Sequence, residues 1–178
     1  MSVTYTLNGF FGAKVIAGNT GFFLNNEMDD FTAKLGVENS LGLVQSSQNE
    51  IEPGKRPLSS MTPTILMKDN RVFMVIGSPG GPRIITSVLL SILNVVDYGM
   101  NIQDAVDAPR FHYQGIPDSI DTEPFALPFL TKKKLEYLGY HFTSKDTWGA
   151  VAAILVDANG KLYGANDYRR PDGKAIGY

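Results

Sequence analysis

Two short apolar runs, at 64–67 and 72–76, flank the dipeptide Asp69-Asn70, and no other stretch constrains this chain as tightly. Apolar runs of strand length around a turn-forming pair read as a buried β-hairpin. Each end of that hairpin carries unusual chemistry. Upstream, Ser59-Ser60 lies between Pro57 and Pro63, so two hydroxyls sit on backbone whose φ angles are restricted before and after them. Downstream, Gly77-Ser78-Pro79-Gly80-Gly81-Pro82-Arg83 leaves the second strand as backbone nearly bare of side chains. A hairpin places both motifs at its open end, on one edge of one sheet, which is how a site is built.

At 178 residues the chain suits one domain with a real core, and no linker, repeat or low-complexity tract divides it. Residues 1–178 are therefore expected to form a single domain. Apolar residues at 43% and charged residues at 19% exclude a disordered or fibrous chain. The net charge of −2 comes with no basic stripe, only isolated clusters such as Lys132-Lys133-Lys134, so nucleic acid is not an expected partner. With no cysteine there are no disulfides, thiol nucleophiles or Cys-ligated zinc. His112 and His141 are the only histidines and both read as strand residues, so neither a His-based triad nor a metal site is expected, and no cofactor is implied. No apolar run approaches the roughly 18 residues of a membrane span, and no signal peptide opens the chain. Residues 2–7 are already strand at the start, as in a piece of something longer.

In that opening strand Val3, Tyr5 and Leu7 alternate with Thr4 and Thr6, which puts Thr6 and Asn8 on one face. A helix is expected over 27–34, capped by Asn25 or Asn26, with Glu27, Asp29 and Asp30 in the first turn where the helix dipole favours acids. Residues 35–56 lack periodicity and read as a lid-like loop. A helix over 84–98, apolar nearly all round and ended by Gly99, is expected to be buried. Asn101 caps a helix over 102–108 that Pro109 stops, a strand covers 111–113, and 115–128 is irregular. A helix over 130–138 turns Leu135 and Leu138 inward and its lysines to solvent. Strands follow at 141–144, 150–156 and 161–164, the last two joined by Asp157-Ala158-Asn159-Gly160, and the tail over 167–178 is irregular.

The glycine-rich turn fits three uses: a phosphate cradle, an oxyanion hole, or a bare tight turn. It lacks the Gly-Lys-Ser/Thr ending of a P-loop and the spacing of a dinucleotide fingerprint. Ser59 and Ser60 have no neighbouring base, which suits them to hydrogen-bond an anion such as a carboxylate rather than to attack. Asp30 and Glu27 suit an ammonium group. Together these describe an amino-acid moiety gripped by both α-groups beside an acyl-transfer centre, with no nucleophile in view.

The order Val3-Thr4-Tyr5-Thr6-Leu7-Asn8, then Leu24-Asn25-Asn26-Glu27-Met28-Asp29-Asp30-Phe31, then Pro53 to Pro63, then Gly77-Ser78-Pro79-Gly80-Gly81 resembles the small subunit of γ-glutamyltranspeptidase. The resemblance runs the whole chain and implies an α/β (α+β) fold of the N-terminal-nucleophile hydrolase type, an αββα sandwich of antiparallel sheets packed between helices. It implies a precursor that cuts itself into large and small subunits, the large subunit being this chain's partner. The new N-terminal threonine attacks the γ-amide of glutathione or a related compound, with its own α-amine as base, and the γ-glutamyl group passes to water or an amino acid. That threonine normally lies one strand before Val3; it is absent here, so the chain by itself is expected not to turn over substrate. By resemblance, Thr6 positions the nucleophile; Asn8, Glu27 and Asp30 hold the α-amino group; Ser59 and Ser60 lie at the α-carboxylate, with a large-subunit arginine; Gly80 and Gly81 form the oxyanion hole. Position 27 is Glu where some bacterial members have Gln, and Leu41 stands where related bacterial enzymes place an aromatic gate. Family members work in the periplasm or outside the cell. The competing readings are a non-catalytic fragment or binding module, and a relative acting on poly-γ-glutamate or on a cephalosporin, the last disfavoured by the glutamyl-binding motifs.

Overall fold

Asp69 and Asn70 both take positive φ, 51° and 59°, in the computed structural model, which describes residues 1–177. Positive φ at both central residues gives the hairpin turn whose twist matches the flanking strands. It joins β1 (Thr64–Lys68) to β2 (Arg71–Gly77) in antiparallel register, with Thr64 opposite Ile76. The far edge of β2 pairs with β6 (Ala152–Val156), and β6 with β7 (Leu162–Asn166), completing an antiparallel sheet in the order β1-β2-β6-β7.

One face of that sheet is the core. Met74, Ile76, Ala153 and Ala165 meet Ile84 and Val88 of α1 (Arg83–Val96) and Ile102 and Val106 of α2 (Ile102–Asp107). Val151, just before β6, closes the cluster. Met74, Val106 and Val151 are sealed completely, and each such side chain contributes roughly 1.5–3 kcal/mol by leaving water. The other face is left open, with Ile65 and Ile154 about half exposed. The sequence pattern overstates the burial of α1: Ile84, Ser87, Val88 and Ser91 are buried, while Ile85, Leu89 and Val96 are exposed. Its apolar outer positions therefore lack a second layer within the described residues. The Asn101 cap forms, its Oδ1 accepting from the Asp104 amide at 2.9 Å.

A second, smaller sheet joins β3 (Phe111–His112), β4 (Ile120–Thr122) and β5 (Phe142–Ser144), antiparallel between β3 and β4 and parallel between β4 and β5. β4 lies inside the stretch expected to be irregular; three residues are too few for a period-two signal to stand out. The helix α3 (Phe129–Tyr137) buries no residue, and Leu138 is 70% exposed instead of facing inward. Amphipathic spacing says which residues share a face, not that something covers it.

The expected strand at 2–7 forms no ladder. Ser2 Oγ donates to the Ile76 carbonyl at 3.2 Å, so the start of the chain runs beside the end of β2. The alternation survives with its sense reversed, since Val3 and Tyr5 are exposed.

The residues fall into two compact units: Met1–Thr4 together with the chain from Met61 onward, and Tyr5–Ser60. The second is built from short pieces: two 3-10 turns, Glu27–Asp30 and Ser47–Asn49, and bridges pairing Ile16 with Phe23, Thr32 with Glu50, and Glu38 with Val44. The helix expected over 27–34 is only its first turn. Phe31 turns to extended backbone and is buried, and the Thr32 amide donates to the Asn49 carbonyl at 2.9 Å, so a tertiary bridge replaces the next helical turn. The tail is irregular as expected, but Asp167 and the Arg169 side chain are buried, and Tyr178 lies outside the described residues. Among the described residues no helix is long and apolar enough to cross a membrane.

Candidate functional site

Within the unit Tyr5–Ser60, the turn Glu27–Asp30 is stitched on both sides. Asn26 receives the chain before it: its amide donates to Leu7 O at 3.1 Å, its Oδ1 accepts from Gly9 N at 2.8 Å, and its carbonyl accepts from Asn8 Nδ2 at 3.1 Å. Thr6 Oγ1 accepts the Asn8 amide at 2.9 Å, which bends the chain so that Asn8 adopts φ of 69°. The two residues that sequence periodicity placed on one face thus touch through a local turn rather than along a strand. On the other side Asn49 Nδ2 donates to the Asp30 carbonyl at 2.7 Å while Asn49 Oδ1 accepts from Leu58 N at 2.9 Å. Asn49 thereby sets Asp30 against the serine pair, an organising role the sequence reading missed in what looked like a featureless loop.

Asp30 is buried, and its Oδ2 accepts from Ser60 Oγ at 2.9 Å. Glu27 stands beside it. Burial pushes the Glu27 carboxyl above its ordinary pKa, and the hydrogen bond and charge of Asp30 push in the same direction. Among the described residues no lysine, arginine or histidine forms an ion pair with either acid. Thr6, Asn8, Glu27, Asp30 and Ser60 are therefore brought into one neighbourhood; Ser59 adjoins Ser60 and is exposed. A separate concavity of about 230 Å³ lies where residues 29–34 meet residues 37–45, lined by Asp29, Phe31, Lys34, Val37 and Leu43, and none of the predicted ammonium ligands is in its wall.

In the other unit, β2 runs out at Gly77 and α1 begins at Arg83. Between them Gly80 has φ of 143° and Gly81 φ of 57°, both in the region that side chains disfavour. Arg83 N donates to Gly80 O and Ile84 N to Gly81 O, the first winding of α1. The carbonyls of both glycines are thus occupied. The hydrogen bonds among the described residues use neither of their N–H groups.

The sequence reading also missed a buried ionic cage in this unit. Arg110 Nη2 donates to Asp167 Oδ2 at 2.5 Å and to Val106 O at 2.7 Å; Arg169 donates to Asp167 Oδ1 at 3.0 Å, to Glu123 Oε1 at 2.8 Å and, more closely, to Glu123 Oε2. The Val151, Trp148 and Arg110 amides donate to the same carboxylates. Burial works against the charged form of Asp167, but the hydrogen bond and charge of Arg110 and the Arg169 and Val151 amides outweigh it and hold its pKa below the usual carboxylate range. Burial is the larger influence on Arg110, whose pKa it lowers in spite of Asp167. The only hint in the sequence was Asp167 and Arg169 in a tail with no other role.

Set beside known proteins, residues 1–178 match the family model described as Gamma-glutamyltranspeptidase. A glutathione hydrolase proenzyme of a Pseudomonas species is 55% identical over 187 residues, covering 100% of this chain and 32% of its own length. The Escherichia coli glutathione hydrolase proenzyme is 49% identical, covering 100% of this chain and 30% of its own. The chain thus spans under a third of the length of these curated relatives. Among solved structures, a mutant γ-glutamyltranspeptidase of Helicobacter pylori superposes with a TM-score of 0.91 at 50% identity, over 96% of this chain and 93% of that one.

Proposed function

The chain belongs to the γ-glutamyltranspeptidase family, an N-terminal-nucleophile hydrolase fold, and we propose on that premise that it works as the small-subunit part of a proenzyme that cleaves γ-glutamyl amides and passes the γ-glutamyl group to water or an amino acid. The observation that carries the substrate reading is the Glu27–Asp30 pair: a buried carboxylate with a second acid beside it and no cation paired to either among the described residues. Burying charge without a partner costs several kcal/mol in proteins, so such a pair fits a ligand that brings its own cation. The α-ammonium of a γ-glutamyl group is that cation. Ser59 and Ser60 serve the α-carboxylate, Asn8 joins the ammonium ligands, and Thr6 positions an attacking N-terminal threonine that comes from outside these residues.

In this mechanism the threonine, deprotonated by its own α-amine, attacks the γ-carbonyl, and the oxyanion is stabilised by the N–H groups of Gly80 and Gly81. Collapse expels the amine and leaves the γ-glutamyl ester, which water or an amino acid resolves through the same oxyanion site. One such donor in a dry site lowers the barrier by about 3–4 kcal/mol. The partner is the large subunit, and the apolar positions left open on the sheet at Ile65 and Ile154, and on α3, support such a partner. A periplasmic or extracellular location belongs to the same reading.

The test is hydrolysis of γ-glutamyl-p-nitroanilide by the full-length proenzyme, with and without an amino acid acceptor. Turnover that tracks self-cleavage of the precursor is the expected result. A fully cleaved protein inert toward γ-glutamyl amides would refute the reading and favour a binding module.

A further inference from the structure

Resting on the reading of Gly80 and Gly81 as oxyanion donors, we infer that Ser78 and Gly149 are positioning residues that fix the direction of the Gly80 N–H, and that Arg110 holds Gly149 in place for that purpose. A turn rich in glycine does not hold its own N–H groups still, because glycine samples more backbone conformations than any other residue. An oxyanion hole works only if its donors are aimed before the charge develops. Something other than the two glycines has to aim these.

The Gly80 N–H belongs to the peptide unit whose carbonyl is that of Pro79. The unit is planar and trans, so the direction of one group dictates that of the other. Ser78 Oγ donates to Pro79 O at 2.7 Å and accepts the Ala150 amide at 3.4 Å, and the residue is only 2% exposed. The serine therefore clamps the carbonyl end of the peptide whose amide end is the proposed donor, and links it to the 149–150 backbone.

Gly149 presses on the same peptide. A Cβ at this position would lie 3.2 Å from Ser78 Oγ, 3.3 Å from Pro79 O and 3.4 Å from Arg110 Nη1, and its φ is 72°. A Cβ on Gly80 would in turn meet Gly149 Cα at 3.5 Å. A side chain at 149 would crowd the Ser78 hydroxyl and the Pro79 carbonyl, whereas one at 80 would make only ordinary contact with Gly149. Arg110 Nη1 donates to Trp148 O at 2.8 Å, fixing the peptide that leads into Gly149, and the same guanidinium is anchored on Asp167 and Val106 O. The cage of Arg110, Glu123, Asp167 and Arg169 is thus coupled, through two consecutive peptide planes, to the Gly80 amide.

The experiment uses the full-length proenzyme carrying Ser78→Ala or Gly149→Ala. Turnover is referred to nucleophiles titrated with a covalent γ-glutamyl analogue, so that losses of folding or self-cleavage drop out. Ser78→Ala is expected to lower kcat per titrated site about tenfold and Gly149→Ala about a hundredfold, with KM within about twofold, since a misplacement of about 1 Å can cost about a hundredfold and the loss of one oxyanion donor about 100- to 1000-fold. Ser78→Ala removes one oxygen and Ser78→Thr restores a hydroxyl, so the latter should recover most of the rate. Unchanged kcat per site in both alanine variants, or a rise in KM at constant kcat, would overturn the inference while leaving the γ-glutamyl reading intact. A titratable parent enzyme with no turnover would overturn that reading instead.

Discussion

Replacing Asp30 by Asn removes one negative charge at nearly constant shape. Ser60 Oγ, 2.9 Å from Oδ2, can still donate to the amide oxygen, and the backbone tie from Asn49 to the Asp30 carbonyl is untouched. What disappears is the charge-assisted part of the ammonium contact, and a hydrogen bond to a charged group contributes about 1.5–3 kcal/mol. At about 1.4 kcal/mol per decade, kcat/KM for γ-glutamyl-p-nitroanilide should fall about 10- to 150-fold. The loss should appear in KM, because the ammonium is bound alike in ground and transition states. A sharper readout compares this substrate with its glutaryl counterpart, which has no α-amine. The intact enzyme should prefer the γ-glutamyl compound, and Asp30→Asn should erase most of that preference by slowing only the amine-bearing substrate. If Asp30→Asn slowed both substrates equally, Asp30 would be holding the fold rather than an ammonium, and the reasoning from an unpaired acid would fail.

Glu27→Gln should flatten the acid limb of the KM profile. In the parent, burial and Asp30 raise the Glu27 pKa, so falling pH neutralises it earlier than an ordinary glutamate and weakens ammonium binding; a parallel limb in the variant would exclude the role. Asp167→Asn should lower stability at neutral pH by about 3–5 kcal/mol, the usual cost of breaking a buried ion pair, read as the thermal midpoint of the processed enzyme. Asp167 has its folded pKa below its unfolded value, so its stabilisation is present above the unfolded pKa and is lost as pH falls through the folded one; the gap between parent and variant should therefore narrow in acid. Asn101→Ala should cost about 1 kcal/mol, the value of one N-cap, with no change in kcat per titrated site.

What was legible in the sequence was local. The hairpin, the Asn101 cap and the stops at Gly99 and Gly139 follow from turn and cap chemistry that a few adjacent residues decide. The opening strand and the 27–34 helix failed because pattern reports what a segment prefers, while the structure is decided by what lies next to it. Phe31 and Thr32 leave the helix because Asn49 offers the Thr32 amide a carbonyl and Phe31 is buried. Residues 2–7 form no ladder, and β4 and the inward face expected for Leu138 went wrong for related reasons, one too short to show a period and the other lacking anything to cover it. The candidate site residues were named largely through resemblance. Of the contacts among them, only the meeting of Thr6 and Asn8 was foreseen from spacing, and it occurs through a turn.

Among the described residues, the acids Glu123 and Asp167 contrast with Asp30 and Glu27, and the difference sets scaffold apart from the site we propose. Glu123 and Asp167 are matched by Arg110 and Arg169 and by four backbone amides, so their charges are compensated within the fold itself. Such a cluster needs no ligand, and losing one member strands the others. Asp30 and Glu27 receive a serine hydroxyl and each other and, among the described residues, no cation. Their mutual repulsion is retained in the folded chain, as expected where a ligand supplies the missing charge. Neither cluster could be told from the other by composition, since acidic residues in a helix turn and in a polar tail look equally ordinary. Only the placement of Arg110 against Asp167 and of Arg169 against Glu123, 57 and 46 residues apart in sequence and close in space, shows which acids are already spoken for.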